Sequence, residues 1–331
     1  MPDPRLDVLC IGNAIVDVIA DATDAFLAQE GQVKGAMRLI DGDEAERLYA
    51  HMAPARQVSG GSAGNTAAGV AALGGRAGFI GQVAPDQLGE FYRHDLTAAG
   101  IEFITPASDV GAPTARSMIL VTPDGHRTMN TFLGAAQHLP KQALDEQQIR
   151  DSAILYLEGY LWDPETPRYA MVRAIEVARQ AGRKVAFTLS DMFCVGRHRE
   201  GFNQLLDGGR IDILFANQAE VEALAGVAHL ESAVAAVAPK VETLVVTRSE
   251  DGALAVRGPE RADVPAEPIR ELVDTTGAGD LFAAGFLLGI ARGKSLEQSL
   301  RLGAVAAAEV IQHYGARPEA DLRALAGDLL A

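Results

Sequence analysis

The sequence predicts an α/β fold: a central, mostly parallel β-sheet with helices on both faces, and a small β-sheet that forms a lid. Three observations lead to this prediction. From about residue 150 onward, short apolar or β-branched segments alternate with longer helical segments, which is typical of βαβ units. An earlier pair of strands has the pattern of a hairpin. The chain of 331 residues, 48% hydrophobic, is long enough to bury a large core.

The strands of the central sheet are predicted in the second half of the chain. They are the apolar segments 154–157, 184–189, 211–215 and 243–247. In such sheets, ligands bind beyond the carboxyl ends of the strands. We therefore expect the loops that contain Asn217, Thr247 and Gly277 to converge, each at the end of a strand, on one cleft.

The first part of the chain predicts the small sheet. Strand-like segments occur at 6–11 and 15–20, joined through Gly12 and Asn13. A hairpin is predicted from strands 116–121 and 128–133. Because two strands alone are marginally stable in water, the hairpin is expected to join other early strands, including 37–40, in one sheet.

These elements predict a single domain over residues 1–331. A capping box at Ser295–Gln298 predicts a last long helix, to about Tyr314, that closes the domain. The lid is expected to be formed mainly by the segments near 13–20, 33–41 and 112–133.

Composition narrows the class of partner. A formal charge of −15 disfavours nucleic acid and anionic membranes, so we expect a small-molecule partner. Two cysteines, Cys10 and Cys194, are too few for a disulfide framework or a zinc cluster and fit a reducing cytoplasm. The sequence shows no secretory signal and no stretch of about 18 apolar residues. The charge does not distinguish a monomer from a homodimer.

The segment Asp274–Asp280 has the pattern of an anion-binding helix start. Gly277 and Gly279 permit backbone conformations in which successive N–H groups, with that of Ala278, point at one spot, and the apolar residues that follow predict a buried helix. Asp280 lies at the start of this helix, where a carboxylate could accept a proton from an attacking hydroxyl. The alternative is that Asp280 only caps the helix.

A second glycine-rich segment, Gly60–Gly74, runs into a helix of small residues. Such a turn brings backbone close to a ligand, and Asn65 offers a donor and an acceptor to hydroxyl groups. The alternative is that the small residues only allow close contact between the helix and the sheet, and that Asn65 only caps the helix. Asp17, within a strand, must be paired or functional, unless that strand lies at a partly solvated edge, because burying an unpaired carboxylate costs several kcal/mol.

Further polar residues follow the predicted strands. Glu220, one turn beyond Asn217, could hold Mg²⁺ through water. The turn from Thr247 to Gly252 could contact phosphate, and Arg127 in the hairpin could neutralise phosphate charge. Each of these could also be ordinary surface.

Two familiar nucleotide motifs are absent. The segment 289–295 is one residue too short between its glycines for a P-loop and follows a helix, so we interpret it as a helix stop. No strand is followed by Gly-x-Gly-x-x-Gly, which removes the main support for a dinucleotide oxidoreductase. Histidines and carboxylates do not occur at the spacings of a metal cage.

In their order along nearly the whole chain, these segments resemble the PfkB (ribokinase-like) family of carbohydrate and nucleoside kinases. The resemblance implies a ribokinase-like fold with a β lid, a requirement for ATP and Mg²⁺, and Asp280 as catalytic base with an anion hole at Gly277, Ala278 and Gly279. It also implies that sugar or ribose hydroxyls bind Asp17, Gly61 and Asn65, and that Asn217 and Glu220 organise Mg²⁺ and phosphates. A monovalent cation near Asp274 is left open.

Within the family, the chain is most similar to the adenosine kinase branch. The turn reads Gly60-Gly61-Ser62, where ribokinases have lysine third, and 127–133 and 189–193 resemble that branch's lid strand and adenine-contacting segment. Ala14 and Thr276 depart from the branch, and the threonine is shared with sugar kinases. Acceptor contacts are expected from Asn13, Asp17, Gly60, Gly61, Ser62 and Asn65, with apolar lining from Ile15, Met37, Leu39, Met129, Tyr160 and Phe193, and ATP contacts from Arg127, Asn217, Thr247, Gly252 and Thr276.

The resemblance thus implies phosphorylation of the 5′-hydroxyl of adenosine to AMP, a step of purine salvage. A sugar kinase, or an inosine or guanosine kinase, is the alternative enzyme. A nucleoside-binding regulator without catalytic activity is the alternative outside enzymes.

Overall fold

A computed structural model describes residues 3–330; residues 1, 2 and 331, the ends of the predicted domain, lie outside the described part. A large sheet of eight strands has the order β13-β12-β11-β10-β9-β8-β1-β5. Its neighbours from β5 to β11 are parallel, and only β12 and β13 are antiparallel. The strands are β1 (Leu6–Ile11), β5 (Ala77–Ile80), β8 (Ser152–Glu158), β9 (Lys184–Thr188), β10 (Ile213–Asn217), β11 (Thr243–Thr247), β12 (Ala253–Arg257) and β13 (Glu260–Val264).

A second sheet has five strands in the order β3-β7-β6-β2-β4. It contains the predicted hairpin, β6 and β7, and the predicted strands β2 and β3. Its bounds are β2 (Ile15–Asp21), β3 (Met37–Leu39), β4 (Arg56–Gly60), β6 (Ala115–Val121) and β7 (Arg127–Phe132).

Twelve α-helices connect and cover the sheets within residues 3–330. They are α1 (Asp24–Gln29), α2 (Gly42–His51), α3 (Ser62–Ala72), α4 (Gln87–Ala98), α5 (Glu146–Arg150), α6 (Glu165–Gln180), α7 (Met192–Asp207), α8 (Gln218–Ala225), α9 (Leu230–Val237), α10 (Ala278–Ala291), α11 (Leu296–Val310) and α12 (Leu322–Ala326). No single helix of the described residues is long and apolar enough to cross a membrane. The bent pair Gln218–Ala225 and Leu230–Lys240 meets that test only by length and composition.

Side chains alternate between the two faces of the large sheet, as strand geometry requires. Val8 and Cys10 of β1 pack into one core with α3, α4, α10 and α11, whereas Leu9 and Ile11 pack into another with helices α5 to α9. Helices therefore cover both faces, and the predicted fold class is confirmed.

Helices α1 and α2 cover one face of the small sheet. Met118 and Leu120 of β6 pack against Leu27 of α1 and Leu48 of α2 in a separate small core. The opposite face carries Asp17 and its neighbours.

β1 belongs to the large sheet, and the chain crosses to the small sheet between Ile11 and Ile15. Two predictions about individual elements are wrong. Gly277 does not follow a strand end, because the irregular segment 265–277 separates it from β13. The last long helix ends at Val310 rather than near Tyr314, since the segment beyond it turns back toward α10, where the Gly315 N–H donates to Asp274.

Candidate active site

Asp280 joins the two glycine-rich segments. It is the third residue of α10, and its Oδ1 accepts a hydrogen bond from Ser62 Oγ at 2.6 Å, while its Oδ2 accepts one from Asn65 Nδ2 at 3.0 Å. Thr66 Oγ1 also donates to the Asp280 carbonyl at 3.2 Å. The carboxylate is thus fixed by α3 at the point where the N-termini of α3 and α10 meet.

Both of these helices begin without a capping side chain, at a glycine with positive φ. Gly61 has φ 83° and Gly277 has φ 80°. A Cβ would lie 2.1 Å from the Asn13 carbonyl oxygen at Gly61 and 2.5 Å from Ala316 Cβ at Gly277. Backbone conformation and close packing therefore both require glycine at these positions.

Gly279, in contrast, faces open space. A Cβ built on it meets no atom within 4 Å among the described residues. The first N–H groups of a helix have no intrahelical partner, and no side chain caps α10. The Ala278 N–H donates to the Thr275 carbonyl at 3.2 Å, just before the helix. The start of α10 is therefore open to an anion, which the helix dipole favours.

Asp17 lies beside the Gly60 turn on the face of the small sheet opposite α1 and α2. A Cβ on Gly60 would come within 2.4 Å of Asp17 Oδ2. Burial raises the pKa of Asp17 to about 7, and the positive charges of Arg317 and Arg127 oppose the rise. Because β2 pairs with both β4 and β6, Asp17 lies on an interior strand of the sheet and not on a solvated edge strand.

The predicted apolar lining comes from two separate places. Residues paired across strands point to the same face, and the pairs Ile15–Ala115, Ile119–Met129 and Met129–Met37 place three of the predicted residues on the face of Asp17. Leu39 shares this face through its pairing with Thr131. Met37 and Leu39 are 45% and 57% exposed.

Tyr160 and Phe193 come from the carboxyl edge of the large sheet. The Tyr160 hydroxyl donates to the Ser190 carbonyl at 3.3 Å, and the Gly159 N–H donates to Ser190 Oγ at 2.8 Å. Ser190 has φ 73°, a strained conformation for a residue other than glycine. Phe193 is the second residue of α7 and is 72% exposed, so most of its side chain is accessible to a ligand.

Glu158, at the end of β8, is a residue that sequence reasoning missed. It is fully buried, and it accepts hydrogen bonds from the Asn13 N–H at 2.8 Å, Asn13 Nδ2 at 2.7 Å and the Ala63 N–H at 2.8 Å. Burial raises its pKa to about 7. The carboxylate therefore ties Asn13 to the glycine turn. A charged residue ending an otherwise apolar strand was the available signal.

Arg317 was also missed. Its guanidinium donates to Ser59 and Gly64, on either side of the same turn. It lies more than 250 residues from them in sequence, and no local pattern indicates the contact.

Asn217 and Glu220 form a capping box at the start of α8. Glu220 N–H donates to Asn217 Oδ1 at 2.9 Å, and Asn217 N–H and Nδ2 donate to the two Glu220 carboxylate oxygens at 3.0 and 2.7 Å. Burial raises the pKa of Glu220 to about 7. Asn217 is also the register partner of Thr247. These three residues lie together at one edge of the sheet.

The donor set of Glu220 can be tested against Mg²⁺. No group of three or more histidine, cysteine, aspartate or glutamate side chains within 3–330 could hold a metal. Mg²⁺ commonly keeps its waters and binds one or two carboxylates together with substrate phosphates. Each Glu220 oxygen accepts one hydrogen bond and keeps a lone pair, so this carboxylate fits a water-mediated contact.

Arg127 pairs with Asp274. Its Nη1 lies 2.8 Å from Asp274 Oδ2, and Asp274 Oδ1 accepts from Thr276 N–H and Oγ1 at 3.1 and 2.8 Å. Arg127 Nε and Nη2 are buried without a partner among the described residues. Two guanidinium donors therefore remain for an anion.

Gly252 closes the turn that follows β11. It has φ 81°, a Cβ there would lie 2.0 Å from the Val264 carbonyl oxygen, and its own carbonyl accepts from the Arg248 N–H at 2.8 Å. The turn is therefore tight, and its predicted contact with ATP stays a prediction.

Comparisons with known proteins agree with this geometry. The family model described as "pfkB family carbohydrate kinase" matches residues 5–322. The structure of adenosine kinase from Sinorhizobium meliloti is 50% identical, with TM-score 0.90, over 97% of this chain and 98% of that one. A probable sugar kinase from Rhizobium etli is 48% identical, with TM-score 0.91, over 98% of both chains. Adenosine kinase of Saccharomyces cerevisiae is 28% identical over 93% of this chain and 95% of its own length.

Proposed function

Since the chain belongs to the pfkB family of carbohydrate kinases, we propose that it transfers the terminal phosphoryl group of ATP to the 5′-hydroxyl of adenosine. The family resemblance predicted from the sequence is confirmed, and the chain is a phosphotransferase that acts on a hydroxyl group of a sugar or nucleoside. The choice of adenosine as acceptor, a place in purine salvage and a cytoplasmic location are parts of the proposal.

One observation carries the proposed chemistry: the Asp280 carboxylate is fixed by Ser62 and Asn65 beside the open start of α10. A hydroxyl bound there can give its proton to Asp280 as its oxygen attacks the γ-phosphorus. The bond from that phosphorus to the β–γ bridging oxygen breaks, and ADP leaves. The N–H groups at Gly277, Ala278 and Gly279 would stabilise the charge on the transferred group.

Unpaired polar atoms support the proposed binding contacts. Asn65 Oδ1 is buried without a partner among the described residues, and an acceptor hydroxyl would supply one. Together with Asp17 and Asn13, it would bind the hydroxyls of the ribose. The free Nε and Nη2 of Arg127 could in the same way take phosphate oxygens.

Mg²⁺, when bound, would neutralise part of the phosphate charge, and Glu220 is the residue that would hold it through water. The protein's own part is to place the reactants and to exclude water. The small sheet, with Met129 and Met37 on the face that carries Asp17, could close over the acceptor as a lid.

Exposed apolar side chains favour adenosine over a sugar as the acceptor. Met37, Leu39 and Phe193 are exposed apolar side chains, more than a small sugar would need and suited to a purine ring. The 50% identity with an adenosine kinase supports the same choice. A sugar acceptor is the second candidate, which Thr276 and the 48% identity with a probable sugar kinase favour.

An acceptor panel tests the proposal. The purified protein is supplied with ATP, Mg²⁺ and, one at a time, adenosine, inosine, guanosine, ribose or fructose, and phosphorylated products are identified by ³¹P NMR and chromatography. Adenosine is expected to give the highest kcat/KM, and the matched variant Asp280→Asn to lower kcat by about 10²-fold or more. A higher kcat/KM with a sugar would select the second candidate. Binding of adenosine without ADP formation would indicate a regulator.

A further inference from the structure

Arg317 donates hydrogen bonds to residues on both sides of the glycine turn. Its Nε donates to the Ser59 carbonyl at 2.9 Å, its Nη2 to Ser59 Oγ at 2.8 Å, and its Nη1 to the Gly64 carbonyl at 2.8 Å. Ser59 and Gly64 flank the four residues 60–63. Ser62, which contacts Asp280, lies between these two contacts of Arg317. Gly60 also lies between them, and a Cβ on Gly60 would come within 2.4 Å of Asp17 Oδ2. One side chain therefore determines the position of the turn relative to both carboxylates.

The segment that carries Arg317 is itself anchored on both sides. Before it, the Gly315 N–H donates to Asp274 Oδ2 at 3.0 Å. After it, the N–H groups of Glu319 and Ala320 donate to Glu309 Oε1 at 2.9 and 2.8 Å. The guanidinium is thus held in place before any ligand binds, as preorganised electrostatic stabilisation requires.

The charge of this guanidinium faces several ionisable groups. Burial raises the pKa of Asp280 and of Asp17, and the positive charge of Arg317 opposes the rise at both residues. Burial also lowers the pKa of Arg317 itself, although a guanidinium does not lose its proton in proteins. The other ionisable groups that face these three residues are Cys10, Tyr92, Asp95, Arg127, Tyr156, Glu158, Tyr160 and Asp274.

We propose that Arg317 is a positioning residue for phosphoryl transfer, which holds Ser62 against Asp280 and places a fixed positive charge near the Asp280 and Asp17 carboxylates. This inference rests on the proposed kinase function. It adds a residue from the C-terminal segment to a site otherwise built from α3, α10 and the small sheet. Arg317 is not a catalytic residue, because it reaches the reacting atoms only through the turn and through its charge.

The test compares Arg317→Met with Arg292→Met. Arg292 Nη2 donates to the Gly74 carbonyl at 2.6 Å, just beyond the opposite end of α3, so it is a matched arginine-to-backbone contact outside the cleft. The pH profile of kcat/KM falls in acid as the base is protonated. In Arg317→Met, the acid limb is expected to move about one pH unit upward, because the opposing charge is lost. In Arg292→Met it is expected to stay in place.

A conservative variant separates charge from shape. Arg317→Lys keeps the charge but not the forked geometry, so the acid limb is expected to remain within about 0.3 pH units of wild type while kcat falls about tenfold. If Arg317→Met lowers Tm but its pH profile overlays that of wild type, Arg317 is only structural and the proposal is overturned. Should Arg317→Met not fold, Arg317→Gln, whose amide can still donate to the turn, carries the same comparison.

A readout without turnover keeps this proposal distinct from the proposed function. The Asp280 carboxyl can be titrated by ¹³C NMR in wild type and Arg317→Met, with its resonance assigned from Asp280→Asn. A higher titration midpoint in the variant supports the role of Arg317, and equal midpoints overturn it. If wild type phosphorylates no acceptor, the kinase proposal fails while this titration still gives its answer.

Discussion

Arg127 and Asp274 form a salt bridge of 2.8 Å, from Nη1 to Oδ2, between the small sheet and the segment that leads into α10, with each side chain only 7% exposed. The pair links the sheet that carries Asp17 to the glycine loop that carries Asp280. Because Arg127 also keeps two unpaired donors, one side chain can serve the contact between the two parts of the site and the proposed phosphate contact at once.

Removing one partner of this pair is expected to destabilise the protein more than removing both. Asp274→Asn should lower the free energy of unfolding by about 3 kcal/mol, because it leaves the buried Arg127 charge uncompensated. Arg127→Met combined with Asp274→Asn should cost less than Asp274→Asn alone, and therefore less than the sum of the two single changes. Chemical denaturation measures all three variants. Additive losses would show that the pair is not coupled. Glu242→Gln, which removes the exposed partner of Lys184, is the control and should cost less than about 1 kcal/mol.

The unpaired oxygen of Asn65 predicts a role in acceptor binding. Asn65→Ala should raise the acceptor KM by about 5- to 30-fold, the value of one or two hydrogen bonds, with the KM for ATP nearly unchanged. Steady-state kinetics with each substrate varied in turn makes the comparison. An unchanged acceptor KM would mean that Asn65 serves only to hold Asp280 through Nδ2.

Glu220 predicts a pH dependence of stability. Burial raises its pKa from about 4.5 to about 7, so the folded protein binds this proton more tightly than the unfolded chain. The resulting contribution to stability is complete below about pH 4 and is lost as the pH rises through 7. Wild type should therefore lose more free energy of unfolding than Glu220→Gln between about pH 4 and pH 8. Equal losses in denaturant titrations at both pH values would refute the assignment.

The same variant separates stability from metal use. Glutamine can replace glutamate in a capping box, so Glu220→Gln should keep the start of α8 folded. Its half-saturating Mg²⁺ concentration should nevertheless rise, since the carboxylate that would hold the hydrated ion is gone. Gln298 of the capping box at α11 shows that this chain already uses glutamine in that position.

The parts of the site that are local in sequence could be predicted. Gly277, Gly279 and Asp280 lie within four residues, and a buried apolar helix follows them as expected, with Leu281–Gly289 inaccessible to solvent. The hairpin of β6 and β7 could be found from its turn and alternation. In each case the residues that determine the structure are neighbours along the chain.

Contacts between distant segments could not be predicted. Glu158 is informative only once Asn13 and Ala63 are known to meet it, and Arg317 only once its segment is known to fold back under Ser59. The sequence shows that Gly12 and Asn13 join two strands, but it does not show that these strands belong to different sheets. In the structure they are the crossing between two sheets, and a Cβ on Gly12 would lie 2.2 Å from Glu158.

The exposed ring of Phe193 predicts a selective effect on the acceptor. Phe193→Ala should leave Tm nearly unchanged, because the side chain is 72% exposed and its truncation removes little buried surface. If the ring stacks on a base, the variant should raise the KM for adenosine about tenfold and leave a sugar acceptor unaffected. Leu325→Ala, 53% exposed on α12, is the control and should change neither value. Equal effects on adenosine and fructose would exclude stacking.

Gly279 and Gly196 predict opposite consequences for the same substitution. Both are helical glycines at which a Cβ would meet nothing within 4 Å, and neither has a positive φ. Alanine should therefore leave stability unchanged or raise it by up to about 1 kcal/mol at each position. Only at Gly279 does the open space adjoin Asp280 and the uncapped N–H groups of α10. A methyl group there would occupy the proposed phosphoryl position, so kcat should fall at least tenfold in Gly279→Ala and stay unchanged in Gly196→Ala. Full activity of a stably folded Gly279→Ala would show that the phosphoryl group does not pass this helix start.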